Sequence, residues 1–587
     1  MRVLRKCFGV AGVAAMFSIS ALGQMDTVMV PADVPPVEGN LNGAVQAAIS
    51  AGKLSSTVFC LEPDGNYVLT GTITVPAGSH LRIIGPTPGT TQATAPPQIR
   101  WTSDDSVNTL FNFRCFGNIT LKNVWLLYAK TNGWQSFSSL QIEDSPDSIG
   151  GQHGNFDGVI FDYAAISANG SGAVSVAARH FRGLFKNCYF RNCTDLHFRY
   201  YGRAVSFPFA STGWHIDSLR FDNCTFANMG YTYMQEGGEY ADFVWFNHCT
   251  FLNVVMYTLE SGWWHWLNVS NSVFVNTYML GDSPYERWST LPYPVGGTIN
   301  IDGISSFDFA VPFTEAERHI LFTHSSYAVE QWLRDYMASG YDGRLDAAWY
   351  PRDQWPVPQP MMSEKTKAFF HVKAVWPYVS MGPLYDSTDP GFVLAPTNVS
   401  GIKSFLYFKL TSSEDTVWAY NPEDDLNGVW PMKEDLSYTN PTLLTAGFGE
   451  FPLGDLYHWF PDRYAEWKEQ EAAEHDWLMA WLSGGRDPNG AGEQLGMPVP
   501  ARFELSQNYP NPFNSKTIVG SWLPDAGQVR LVLYDILGRE VAVLVNERRA
   551  AGSYQDSFDA AGLASGVYIY RLTAGSFVQS RTMVLLR

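Results

Sequence analysis

Positive charge is in short supply in this sequence. Its 587 residues hold 39 Lys and Arg against 57 Asp and Glu, a formal net charge of −18. Nothing in it resembles the basic stripe that neutralises phosphates and releases counterions, so nucleic acid is excluded as a partner and an anionic membrane surface is disfavoured. Charge of either sign is scarce, at 16% of residues, where soluble domains average about 25%. Seven cysteines in such a length are too few for a disulfide-stapled scaffold. Beyond the start of the chain no run approaches the roughly 18 apolar residues of a membrane-spanning helix. Signatures of phosphate loops, zinc-binding helices, EF-hand loops and nucleophile elbows are also missing. Core material is plentiful: 45% of residues are hydrophobic and 15% aromatic, which rules out wholesale disorder.

The segment 1–23 has the features of a secretory signal peptide. Arg2, Arg5 and Lys6 form a basic start, an apolar stretch runs from Cys7 to Leu22, and Ala21-Leu22-Gly23 is a small-x-small cleavage pattern. Removing those three basic residues takes the net charge from −18 to −21. The mature protein is therefore expected to be exported, and to be soluble or attached at the surface.

One motif then occurs four times: Phe185-Lys-Asn-Cys-Tyr-Phe-Arg-Asn192, Phe221-Asp-Asn-Cys-Thr-Phe-Ala-Asn228, Phe246-Asn-His-Cys-Thr-Phe-Leu-Asn253 and Val269-Ser-Asn-Ser-Val-Phe-Val-Asn276. Its centres fall at positions 188, 224, 249 and 272, so the step shortens from 36 to 25 to 23. Such periods, carried by β-prone segments punctuated with Asn and Gly, mark a solenoid. In a parallel β-helix the aromatic positions stack inside at about 4.8 Å per coil. The Asn column 192, 228, 253, 276 is expected at a turn, where Asn tolerates left-handed backbone and its amide can bond to the next coil. Ahead of the repeats, Leu41, Ala44, Val45, Ala48 and Ile49 follow helical spacing and suit a short helix capping the solenoid. Over residues 60–330 the pattern resembles the right-handed parallel β-helix of the pectate-lyase-like superfamily, a likeness of fold that transmits no reaction.

Residues 483–500 are rich in Gly and Pro and read as a linker. Beyond them, β runs such as Val529-Arg-Leu-Val-Leu-Tyr534 and Gly566-Val-Tyr-Ile-Tyr-Arg-Leu572, separated by turn residues, suit a small β-sandwich. Phe503-Glu-Leu-Ser-Gln-Asn-Tyr-Pro-Asn-Pro-Phe-Asn514, Leu533-Tyr-Asp-Ile-Leu-Gly-Arg-Glu-Val541, Ala561-Gly-Leu-Ala-Ser-Gly-Val-Tyr568 and Ser580-Arg-Thr-Met-Val-Leu-Leu-Arg587 resemble the C-terminal type A sorting domain of the type IX secretion system. Arg587 stands where Lys is commoner. The resemblance implies the type IX machinery as a partner, passage through the outer membrane, and then release or surface attachment. The expected architecture is thus mainly β: a signal peptide (1–23), a parallel β-helix solenoid with its capping helix (24–330), an aromatic-rich acidic region packing on or capping the solenoid (331–482), the linker, and the sorting domain (501–587). In the aromatic-rich region Pro461 to Leu478 reads as a helix with Tyr464, Trp467, Glu471, Trp477 and Leu478 near one face.

Candidate chemistry follows from aligning Tyr233-Met-Gln-Glu-Gly-Gly238 with Tyr257-Thr-Leu-Glu-Ser-Gly262, which places Glu236 and Glu260 on neighbouring coils. Two carboxyls about 5 Å apart suit a retaining glycosidase and wider pairs an inverting one, and their mutual repulsion raises one pKa as a general acid requires. Solvated or backbone-bonded Glu at a coil edge is the plainer alternative. If Leu267 and Val269 face the core, strand alternation sends Trp264 and Trp266 outward, suited to stacking on sugar rings. Tyr200, Arg199 and Asp282 complete the candidate substrate-binding set. Asp424-Asp-Leu-Asn-Gly428 and Asp487-Pro-Asn-Gly490 leave calcium open as a ligand. No metal site or cofactor is otherwise evident, and His215, His248 and His324 read as turn or core residues. The tail carries +2, leaving −23 on residues 24–500, which would repel a polyuronate and favours a neutral glycan. Two functions remain: a glycan-binding or adhesive surface protein, and a polysaccharide hydrolase or lyase using Glu236 and Glu260.

Overall fold

The computed structural model describes residues 25–586 apart from 88–93, 105–110, 134–135, 137–138, 147–149, 165–171, 194–201, 208–214, 236–239, 256–257, 261–263, 280–296, 305–309, 347–354, 396–397, 412–427, 489–502, 506–507, 509–510, 524 and 550–551. The described residues divide into two compact units, one drawn from the ranges 1–312, 322–361 and 382–474, the other from 313–321, 362–381 and 475–587.

The first unit is a parallel β-helix. Each coil contributes a strand to up to three parallel sheets. One ladder climbs from Asp26–Val30 through Arg182–Lys186, Ser218–Asp222 and Tyr240–Asn247 to Trp264–Ser270. A second, of ten described strands, runs from Asn66–Leu69 to Leu384–Asp386, and a third, of seven, from Ile73–Val75 to Leu259–Glu260. The repeats pair as the sequence suggests, Phe185 opposite Phe221, Phe221 opposite Phe246 and Phe246 opposite Val269. Inside, Phe156, Phe185, Phe221 and Phe246 stack at 4.7 Å per step. A parallel column of Phe161, Phe190, Phe226, Phe251 and Phe274 steps by 4.5, 5.1, 5.0 and 4.5 Å. These spacings match the strand separation of a sheet, so each ring lies against the one above without strand distortion.

Two turn columns fix the corners. Asn192, Asn228, Asn253 and Asn276 all adopt left-handed backbone, with φ of 54, 56, 54 and 51°. Their buried amides form a ladder: Asn228 Nδ2 donates to Asn192 Oδ1 (3.2 Å), Asn253 to Asn228 (3.1 Å) and Asn276 to Asn253 (3.0 Å). At one end Asn192 donates to Asp162 Oδ1; at the other, the Glu330 amide donates to Asn276 Oδ1. The other corner holds Asn187, Asn223, His248, Asn271 and His324, again at positive φ, so His248 and His324 are turn residues as expected. Cys188, Cys224 and Cys249 follow this corner. All six described cysteines are buried, and none is in a disulfide among the described residues.

The helix Asn40–Ser50 buries Leu41, Val45 and Ala48, and Asn42 ties it to the first coil by donating to the Gly71 carbonyl at 2.8 Å and accepting from the Thr70 amide at 3.0 Å. Part of the aromatic-rich region packs along the flank of the second sheet. Leu436, Tyr438, Leu443, Ala446 and Leu453 join Trp125, Ile160, Tyr189, Leu252 and Val273 in one core cluster. The helix Pro461–Gly484 then brings buried Glu474 to the turn column, where it accepts from Asn247 Nδ2 (2.7 Å) and Trp467 Nε1 (3.1 Å) and pairs with His248 Nε2 at 3.3 Å.

On the first sheet, His80 bridges two coils. Its Nδ1 faces the Arg82 guanidinium at 2.7 Å and so accepts, which leaves Nε2–H to donate to Thr120 Oγ1 at 2.9 Å. Burial, then Arg82 and His153, push its pKa from 6.5 down to about 4. The sign follows from proton uptake: between pH 6.5 and 4 the unfolded chain binds a proton that the folded imidazole refuses, so folding loses stability as pH falls through that window. Thermal midpoints measured from pH 7 to 4 are expected to fall, and those of His80→Gln to fall less; identical slopes would refute the assignment.

In the second unit, Glu504–Leu505, Lys516–Leu523 and Gly552–Asp559 form one antiparallel sheet. Glu540–Arg549, Gly527–Tyr534, Gly566–Ala574 and Phe577–Leu585 form another, in that order. They enclose Leu505, Phe513, Val519, Leu531, Tyr570, Leu572 and Met583, which makes the tail the β-sandwich that its alternating pattern predicts.

Candidate functional site

The strand ladder revises the proposed carboxylate pair. Phe226 pairs with Phe251, an offset of 25 in the numbering, yet Tyr233 pairs with Leu259 and Met234 with Glu260, an offset of 26. The turn after Asn253 is therefore one position longer than the turn after Asn228. Aligning Tyr233 with Tyr257 assumed an offset of 24, so the partner of Glu260 is Met234 and not Glu236. Glu236 itself, with Tyr200, Arg199 and Asp282, lies outside the described residues, as does most of the acidic turn at 424–428. Asp487, from the second acidic turn, accepts from Trp477 Nε1 at 3.1 Å.

The tryptophans divide. Trp264 is fully buried, and its Nε1–H donates to the Asn300 carbonyl at 3.3 Å. It is no stacking platform, because full burial leaves no face of the indole open to a sugar ring. Trp266, opposite Phe243, stays half-buried.

Beside Trp266 the coils align polar side chains that lie outside the repeated motif. His215 lies opposite Tyr240 at the start of neighbouring strands, its ring stacked on the phenol at 5.0 Å, and the His180 ring meets it edge-on at 4.7 Å. Asp217 Oδ1 accepts from His180 Nδ1 at 3.0 Å, and Arg182 grips Oδ2 at 2.8 Å. One coil on, Asp242 lies 3.3 Å from His215 Nε2 and 3.4 Å from His265 Nδ1, and the His265 ring meets Trp266 at 6.4 Å. The row thus alternates imidazole, carboxylate and aromatic groups across successive coils, most of them half-buried. Burial opposes the charge of Asp217, but the hydrogen bonds from His180 and Arg182 outweigh it and hold the carboxyl below its usual range. Burial, with the charges of Asp242 and Asp217, pushes Tyr240 up to about 12, so it is a neutral hydroxyl at physiological pH. The clue was present in the repeats: Asp217, Asp242 and His265 each stand four positions before a core residue, 221, 246 or 269. An alignment begun at those core residues leaves them out.

Residues 507–585 match the family model of the secretion system C-terminal sorting domain. The tail therefore addresses the chain to the type IX machinery, through the outer membrane and to the cell surface or extracellular space. No curated protein and no solved structure matches the chain. No helix among the described residues is long and apolar enough to cross a membrane.

Proposed function

We propose that the exported β-helix binds a glycan without catalysis, along the row from His180 and Asp217 through Asp242 and His265 to Trp266. The observation that carries this reading is the alignment of half-buried carboxylates, imidazoles and one tryptophan on adjacent coils. Carboxylates and imidazoles hydrogen-bond sugar hydroxyls, a half-open indole offers a face to a pyranose ring, and a solenoid repeats such contacts along a chain. The −23 on residues 24–500 favours neutral polymers over polyuronates. The hydrolase or lyase alternative loses only the in-register alignment that suggested it, because Glu260 lies opposite Met234.

Affinity electrophoresis of the chain in gels containing neutral polysaccharides tests the reading. At least one polymer is expected to retard the protein, and Trp266→Ala to weaken retention about tenfold, equivalent to about 1.4 kcal/mol. Retardation by none of the polymers, or equal retardation of the variant, would remove it.

A further inference from the structure

The same face carries a second capacity that does not depend on glycan binding. One ligand atom from each of His180, His215 and Asp217 can be chosen so that all three lie within 4.8 Å of one another. Zinc bonded to imidazole nitrogen and carboxylate oxygen at about 2.0–2.2 Å sets tetrahedral ligands about 3.3 Å apart. The 3.0 Å between His180 Nδ1 and Asp217 Oδ1 is already close to that edge, so with the imidazole proton on Nε2 an ion takes the place of the shared proton and small side-chain rotations bring the third ligand in. The three come from two consecutive coils, whose backbones are fixed by the His180 amide donating to the His215 carbonyl at 3.0 Å.

Neighbouring groups orient the ligands as outer partners do in metal sites. Arg182 occupies Oδ2 of Asp217 through Nη2 and Nε at 2.8 and 2.9 Å and leaves Oδ1 facing His180. Asp242 lies 3.3 Å from His215 Nε2, and the tautomer that donates Nε2–H to it leaves Nδ1 as a lone-pair donor. Two imidazoles and one carboxylate are a borderline donor set, suited to zinc and its neighbours; calcium takes six to eight oxygens. We infer that His180, His215 and Asp217 bind one divalent transition-metal ion of the zinc type, with Arg182 and Asp242 as positioning residues. Three protein ligands leave a tetrahedral ion one position for water.

Calorimetric titration of the untagged chain with zinc alone, in the absence of any polysaccharide, tests the inference. Cobalt(II), read by its visible absorption, gives an independent measure of coordination. One ion per chain is expected. His180→Ala and His215→Ala should each weaken binding at least tenfold, Asp217→Asn likewise, and Asp242→Asn about tenfold by releasing His215. His475→Ala, which removes an imidazole outside the cluster, should leave affinity unchanged, and calcium should not compete. Circular dichroism establishes that each variant is folded; His180, with half its side chain exposed, can be truncated without opening the core. Absence of binding, equal binding by the parent, His180→Ala and His215→Ala, or an equal loss in His475→Ala would overturn the assignment. None of these outcomes bears on retention by polysaccharide, so the two readings fail separately.

Discussion

Phe251→Ala is expected to destabilise the solenoid by about 3–5 kcal/mol, the range for truncating a fully buried aromatic ring. Phe251 is inaccessible to solvent and stacks on Phe226 at 5.0 Å and on Phe274 at 4.5 Å, both at 6° between planes, while Phe246 meets it edge-on at 5.8 Å. Truncation therefore removes ring contacts on three sides. The cavity cannot collapse, because the strands above and below are held at the ladder spacing by their own hydrogen bonds. In a solenoid each coil touches only its neighbours, so the loss is local. Amide exchange should accelerate most in Thr225–Met229, Thr250–Val254 and Val273–Thr277. Phe251→Leu retains much of the volume and should cost less than half as much. A Phe251→Ala variant within about 1 kcal/mol of the parent, against the cost expected of such a truncation, would mean that the column fills space without carrying the stability of the coil.

The same repeats explain what could be read from the sequence and what could not. Phe185, Phe221, Phe246 and the Asn at 192, 228, 253 and 276 each satisfy a constraint within one coil or between adjacent coils: an inward-facing position, a left-handed corner, an amide aimed at the next turn. Such constraints leave the same residue at the same place in each copy, and the β-helix, its stacks and its amide ladder were legible from them. Glu260 was misplaced because one added residue after Asn253 shifts the third sheet by a step that no local pattern records. Trp264 is buried and bonds to the carbonyl of Asn300, a residue outside the repeat whose position no repeat pattern records. Glu474, acceptor for Asn247 and Trp467, sits in the helix Pro461–Gly484, far along the chain from the turn it serves. The sorting tail was legible in its entirety, because a domain recognised by an export machine keeps its motifs whatever cargo precedes it.

Asn253→Ala is expected to cost about 3–5 kcal/mol, from two separable sources. The first is conformational. Asn253 holds φ at 54°, and left-handed backbone costs an ordinary L-residue about 1–2 kcal/mol that Asn partly recovers through local hydrogen bonding. The second is the ladder. The Asn253 amide donates to Asn228 and accepts from Asn276, and all three side chains are buried. Alanine leaves Asn228 Oδ1 and Asn276 Nδ2 each short of a partner, at about 1–3 kcal/mol per unsatisfied group. Asn276 Nδ2 is also shared with Glu330 Oε2 at 2.5 Å, so its loss falls at the lower end. Asn253→Gly separates the sources, since glycine accepts the backbone without strain but supplies no amide. Glycine should therefore recover about 1 kcal/mol relative to alanine and no more. Solvent denaturation followed by far-ultraviolet circular dichroism, compared across the parent and both variants, gives the three values. Full recovery in Asn253→Gly would show that the column is kept for its backbone alone, and that the amides between Asp162 and Glu330 contribute nothing to holding the coils in register.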